Sequence, residues 1–192
     1  MSAFTLDPAT TALVLIDLQN GISAMEVHPH SASDVIGNAA KLAKRFREVG
    51  APVVLVNVAF PVGPAALQPE ADAVTKLPAS VPPGWDAIVP QLEAAPDDIP
   101  ITKRQWGAFY GTALDLQLRR RGIKTIVLGG IATNIGVEST ARDAYEHGYH
   151  QVIVEDACAA TVSKEMHEFA FQFIFPRIAR VRSAQDVLQA LA

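Results

Sequence analysis

The chain has 192 residues, about half of them apolar and 19% charged, with a net charge of −4; this length can close one sizeable core and this composition excludes a disordered chain. Basic side chains are outnumbered by acidic ones, and Arg119, Arg120 and Arg121 read as a solvated helix face, so neither nucleic acid nor an anionic membrane is expected as a partner. The single cysteine, Cys158, excludes a disulfide framework, the N-terminus has no basic and apolar leader, and no apolar run approaches the ~20 residues of a membrane helix, so a cytoplasmic protein is expected.

Residues 11–17 (TALVLID) form an apolar run ending in a carboxylate, the pattern of a buried parallel strand. Over 34–49, Val35, Ile36, Ala39, Leu42, Phe46 and Val49 share one helical stripe, with Ser33 as the expected N-cap and Gly50 as the stop. A second strand follows at 53–58. Residues 61–100 then hold nine of the thirteen prolines, which predicts a long loop with at most a short helix near 86–93. A loop of that length serves as a lid or an oligomer contact, or else it is mobile.

Regular alternation resumes with a short edge strand at 101–103 and a helix at 112–121, capped by Thr112 and stopped by Gly122. Strand 124–129, a tight turn, helix 136–147, strand 151–155, helix 163–174, strand 178–182 and helix 184–191 complete the chain. Strands alternating with helices through short links predict an α/β domain over residues 1–192, a parallel sheet covered on both faces.

In such a sheet, ligands bind beyond the carboxyl ends of the strands. That rule selects Asp17 after the first strand, Asn57 near the end of the second, Lys103 after the third, and the turn Gly129–Gly136. Backbone N–H groups at the start of the following helix can hold an anion or a developing oxyanion. Each feature has an ordinary alternative: Asp17 as a helix cap or ion-pair partner, the glycine-rich turn as plain turn chemistry.

Taken together, Asp17-Leu18-Gln19, the segment Lys103-Arg104-Gln105-Trp106-Gly107-Ala108-Phe109-Tyr110-Gly111-Thr112, and the long run Gly130-Ile131-Ala132-Thr133-Asn134-Ile135-Gly136-Val137-Glu138-Ser139-Thr140-Ala141-Arg142-Asp143-Ala144 resemble the isochorismatase-like superfamily of cysteine hydrolases. The resemblance covers about residues 10–183 and is weakest over 61–100. It implies a three-layer α/β/α, Rossmann-like domain with a six-stranded parallel sheet, a homo-oligomer (dimer or tetramer), and a cis peptide at Ile131–Ala132. In the amidase members an aspartate, a lysine and a cysteine form the catalytic trio. Asp17 and Lys103 match the first two, and the residue at the cysteine's position is Gly136, with Ala132 and Gly136 N–H as the implied oxyanion donors.

Glycine offers no nucleophile, so acyl transfer through a thiolate cannot occur there. Isochorismatases also lack the cysteine, and hydrolysis of a vinyl ether needs only a general acid and a shaped cavity. The resemblance therefore implies Asp17 as the acid, Lys103 beside it, and a small, anionic or planar substrate contacted by Gln19, Asn57, Trp106, Phe109, Thr133 and Asn134. Trp106 and Phe109 fit a core or interface role equally well. Whether burial raises the Asp17 pKa or the Lys103 ammonium lowers it is open at this level.

No cofactor is expected. The Asp-x-His pair of nicotinamidases is missing after the second strand, His28 and His30 read as a solvated loop, and His147, His150 and His167 read as helix ends or surfaces, so no metal is expected either. Cys158 reads as a small buried hydrophobe. Two further readings stay open: a small-molecule binding protein without catalysis, and an amidase using Cys158.

Overall fold

The structure is a computed structural model in which residues 4–60, 69–73 and 80–191 are described. Residues 61–68 and 74–79 of the proline-rich stretch lie outside the described residues, and so does its expected role as lid or oligomer contact over those positions. The first strand, β1 (Thr11–Ile16), is buried at all six positions, as a run apolar on both faces must be between two helical layers. A single helical turn α1 (Asn20–Ser23) and a two-residue strand β2 (Val27–His28) precede α2 (Ala32–Glu48).

The N-cap of α2 is Ser31, not the expected Ser33. Its hydroxyl accepts the Asp34 N–H at 3.1 Å and donates to the Asp34 carboxylate at 2.7 Å. The apolar stripe that begins at Val35 locates the face of the helix but not its start, where Ser31, Ser33 and Asp34 are exposed.

Next come β3 (Val53–Val58) and β4 (Ile99–Lys103); between them, the helix considered near 86–93 reduces to one 3-10 turn at Pro90–Leu92. Then follow α3 (Leu114–Arg120), β5 (Thr125–Ile131), α4 (Glu138–Glu146), β6 (His150–Thr161), α5 (Lys164–Phe169), α6 (Phe175–Ile178), β7 (Arg180–Arg182) and α7 (Ala184–Ala190). The helix expected at 163–174 is α5 followed by a π-helical turn at Ala170–Ile174, and α6 carries helical structure on to Ile178. The strand expected at 178–182 is shortened accordingly. Pro176 is tolerated there because it stands in the first turn of α6, where its missing N–H has no partner to lose.

The sheet runs β7-β6-β5-β1-β3-β4, all parallel, and β2 adds a seventh strand, antiparallel to the far end of β6. The expected count of six omitted β2, which at two residues is too short to leave a hydropathy signal. Pro100 lies in β4 at the sheet's edge, where a strand can lack a ladder donor.

Helices α2 and α7 cover one face, packing on Leu13, Leu15, Val53, Leu55, Val127 and Val152. Helices α3, α4 and α6 cover the other, against Ala12, Val14, Ile16, Val54, Ile126 and Leu128. The alternation of β1 residues between the two cores is the period-two geometry of a strand.

From β1 the chain builds outward through β3 and β4, then returns to lay β5 on the other side of β1. The crevice between β1 and β5 is therefore the point where strand order reverses. Gly130 permits this junction: its φ is +132°, and a Cβ there would overlap the Ile16 carbonyl oxygen.

Candidate active site

Asp17 is the first residue beyond β1 and has a left-handed backbone, φ 52°, pinned by its N–H to Val56 O at 2.8 Å. Lys103, the last residue of β4, reaches it past the end of β3. Its Nζ stands 2.8 Å from Asp17 Oδ2 and donates to Gln105 O at 3.2 Å. Both residues are buried, 5% and 2% exposed. Among the described residues, Asp17 Oδ1 has no hydrogen-bond partner. Burial raises the carboxyl from its ordinary 3.8 to about 6, against the lowering effect of the Lys103 charge and hydrogen bond. Of the two opposed influences, desolvation wins.

Gly136 lies in the π-helical turn Thr133–Val137 that joins β5 to α4, just after the Ile131–Ala132 peptide, which is cis as the resemblance implies. A Cβ on Gly136 would sit 3.1 Å from Asp17 Oδ2, 3.5 Å from Trp106 O and 2.9 Å from Ile16 Cγ2. Asp17, Lys103 and Gly136 thus converge at the crevice. Thr140 ties the turn to the neighbouring loop, donating to Gly136 O at 2.6 Å and accepting from Ala108 N–H at 3.0 Å.

Several expected contact residues are engaged elsewhere. Gln19 is fully buried: its amide donates to Val58 O at 3.0 Å and to Trp85 O, and accepts Val58 N–H at 2.7 Å. It therefore ties the end of β3 rather than facing a ligand. Asn57 donates to Asp86 O at 3.0 Å and accepts from Thr102 Oγ1 at 2.8 Å, so it too holds backbone and neighbour.

Phe109 belongs to the core under α3 and α4, stacked on His147, and is not an aromatic wall. Trp106 is 63% exposed, and its carbonyl oxygen lies 3.5 Å from where a Gly136 Cβ would stand. Arg104 donates to Ala59 O. Asn134 donates to Met166 Sδ, and its buried Oδ1 has no partner among the described residues.

Cys158 lies inside β6 rather than after it, fully buried. Burial pushes its thiol far up, which is the opposite of an activated nucleophile.

One constellation escaped the sequence. His167, expected on a helix surface, is 2% exposed. Its Nδ1 is 2.9 Å from Thr133 Oγ1 and its Nε2 is 3.1 Å from Glu155 Oε1. His30, expected in a solvated loop, places Nε2 2.9 Å from the same oxygen. The hydrogen bonds from His167 and His30 hold the Glu155 carboxyl down at about 2, outweighing partial burial. No spacing rule links positions 30, 155 and 167, because they meet only through the β2–β6 pairing and the docking of α5.

A family model described as "Isochorismatase domain" matches residues 11–186. The chain is 55% identical over 188 residues to the uncharacterized isochorismatase family protein YecD of Escherichia coli O157:H7, covering 97% of this chain and 98% of that one. It is 33% identical over 190 residues to the ureidoacrylate amidohydrolase RutB of Methylobacterium radiotolerans, covering 86% and 73%. Among solved structures, an isochorismatase family protein from Burkholderia thailandensis superposes with a TM-score of 0.92 at 50% identity, covering 99% of each chain.

Proposed function

The chain belongs to the isochorismatase family of hydrolases, and from that premise we propose that it hydrolyses a small, anionic or planar molecule by general acid catalysis from Asp17, without a protein nucleophile. One observation carries this reading. Asp17 Oδ2 is occupied by Lys103 while Oδ1 is buried and unpartnered among the described residues, on a carboxyl raised to about 6. A carboxyl in that state can carry a proton near neutral pH and deliver it from the free oxygen.

In this reading Gly136 stands where the thiol amidases of the superfamily carry cysteine. For a vinyl ether, Asp17 protonates the terminal alkene carbon, and the C=C pair forms the new C–H bond. Water adds to the resulting oxocarbenium carbon and returns a proton to the Asp17 carboxylate. The hemiketal then breaks its C–O bond, its hydroxyl proton passing to the departing oxygen, to give a carbonyl product and an alcohol. Lys103 holds the carboxyl in place, and the Ala132 and Gly136 N–H groups face the substrate, while Thr133, bonded to His167, and Asn134, bonded to Met166, hold the turn that carries them. No step calls on a cofactor.

A screen of wild type and Asp17→Asn against small carboxylated vinyl ethers, esters and amides tests the proposal. Wild type should turn over at least one class, and the variant should lose ~10²–10⁴-fold in kcat, the range of a general acid. Saturable binding with no turnover by wild type would instead favour a binding protein, a reading consistent with the missing side chain at Gly136.

A further inference from the structure

His30, Glu155 and His167 come from three separate elements: the loop between β2 and α2, the middle of β6, and α5. Both imidazole Nε2 atoms nevertheless converge on one carboxylate oxygen, at 2.9 and 3.1 Å, and the potential ligand atoms all lie within 4.8 Å of one another. Ligands of a tetrahedral ion at ~2.0–2.1 Å stand about 3.3 Å apart; the two contacts to Glu155 need shifts of only a few tenths of an ångström to reach that spacing, and the two imidazole nitrogens, within 4.8 Å of each other, close by up to about 1.5 Å around an ion.

The burial is graded in a way that suits such a centre. His167 is buried and fixed, whereas the side chains of His30 and Glu155 are 30% and 39% exposed, which leaves an approach for water. The hydrogen-bond partner of His167 fits as well. An imidazole that binds metal through Nε2 carries its proton on Nδ1, and His167 Nδ1 faces the buried Thr133 hydroxyl at 2.9 Å. An acceptor on the far nitrogen is the usual device for orienting a metal-binding histidine.

We propose that His30, Glu155 and His167 form a site for a divalent first-row transition ion of the zinc class, with a fourth position open to water. Two imidazoles and one carboxylate are a borderline-soft donor set that favours such an ion over magnesium or calcium. The site is separate from Asp17. It ties the loop after β2 to β6 and α5, and through Thr133 it touches the turn that carries Gly136.

The test uses the folded chain without substrate, so its outcome is independent of the proposed hydrolysis. Protein stripped with a chelator is dialysed against zinc chloride, bound zinc is measured by emission spectrometry, and thermal unfolding is followed with and without zinc. Wild type should bind one zinc per chain and melt at a higher temperature with it, since an ion that binds only the native state stabilises it. Glu155→Gln and His30→Ala should each lose more than about tenfold in affinity, and Thr133→Val, which removes the Nδ1 acceptor, about 10–100-fold. Cobalt in place of zinc should show the visible bands of a four-coordinate ion in wild type alone. Zinc binding that does not saturate below the millimolar range, or equal binding by wild type and Glu155→Gln, would overturn the site and leave a hydrogen-bonded His–Glu–His cluster. Glu155→Gln is the deciding variant because it is isosteric and partly exposed.

Discussion

Asp17 sits between a low-dielectric crevice and a cation 2.8 Å away, and its carboxyl ends near 6 because burial outweighs the ion pair. Its protonated form is the active one in the proposed route, so kcat/KM should be flat below about pH 6 and fall roughly tenfold per unit above it. A profile that instead rises through pH 6 would mark Asp17 as a base. Gly136 lies against the same carboxylate. In Gly136→Cys the new Cβ would lie 3.1 Å from Asp17 Oδ2, beside Lys103 and a turn leading into a helix, a setting that favours thiolate. The variant should therefore be alkylated at pH 6–7 faster than wild type, whose Cys158 thiol is buried. It should also be less stable by ~1–3 kcal/mol, because the Ile16 methyl at 2.9 Å must give way. Alkylation of residue 136 no faster than that of an unfolded control peptide would show that the crevice does not activate a thiol.

Elements were legible where apolar periodicity is strong and blurred where an end is set by polar contacts. The stripe Val35–Phe46 marks α2 clearly, while its start depends on which of two nearby serines closes on Asp34. Ser31→Ala should cost ~1 kcal/mol of stability and Ser33→Ala a few tenths at most, read by urea unfolding; equal losses would mean that the cap is shared. The β6 strand runs twelve residues, well past the apolar run at 152–154. Its pairing with β5 shifts register between Leu128 and Gly130, and the irregular stretch holds Glu155, which a strand pattern read from hydropathy ends upon. Likewise neither π-helical turn is marked by its sequence: Ala170–Ile174 reads as ordinary helix and Thr133–Val137 as a glycine-containing turn. Their widened backbone answers to packing, not to propensity.

Across the whole molecule, two carboxyls pull stability in opposite directions with pH. Asp17 binds its proton more tightly folded, at about 6 against an ordinary 3.8, so its contribution is full below about pH 4 and lost as pH rises through 6. Glu155, held at about 2 against an ordinary 4.5, contributes above about pH 4.5 and loses that as pH falls towards 2. The stability of wild type relative to Asp17→Asn should therefore fall between pH 4 and 6, by up to about 3 kcal/mol at ~1.4 kcal/mol per pKa unit, in urea titrations at fixed salt. A difference that stays level with pH would show that Asp17 titrates alike in both states. The sequence by itself determined the layered α/β class, the order of the six parallel strands along the chain and the carboxyl-edge residues Asp17, Lys103 and Gly136, because hydropathy period and strand-end position are local properties. Only the tertiary structure decided that Gln19, Asn57 and Phe109 face backbone and core, that burial outweighs Lys103 at Asp17, and that His30, Glu155 and His167 meet. Those outcomes depend on distances between segments far apart in the chain, and such distances exist only once the sheet has set which strand lies beside which.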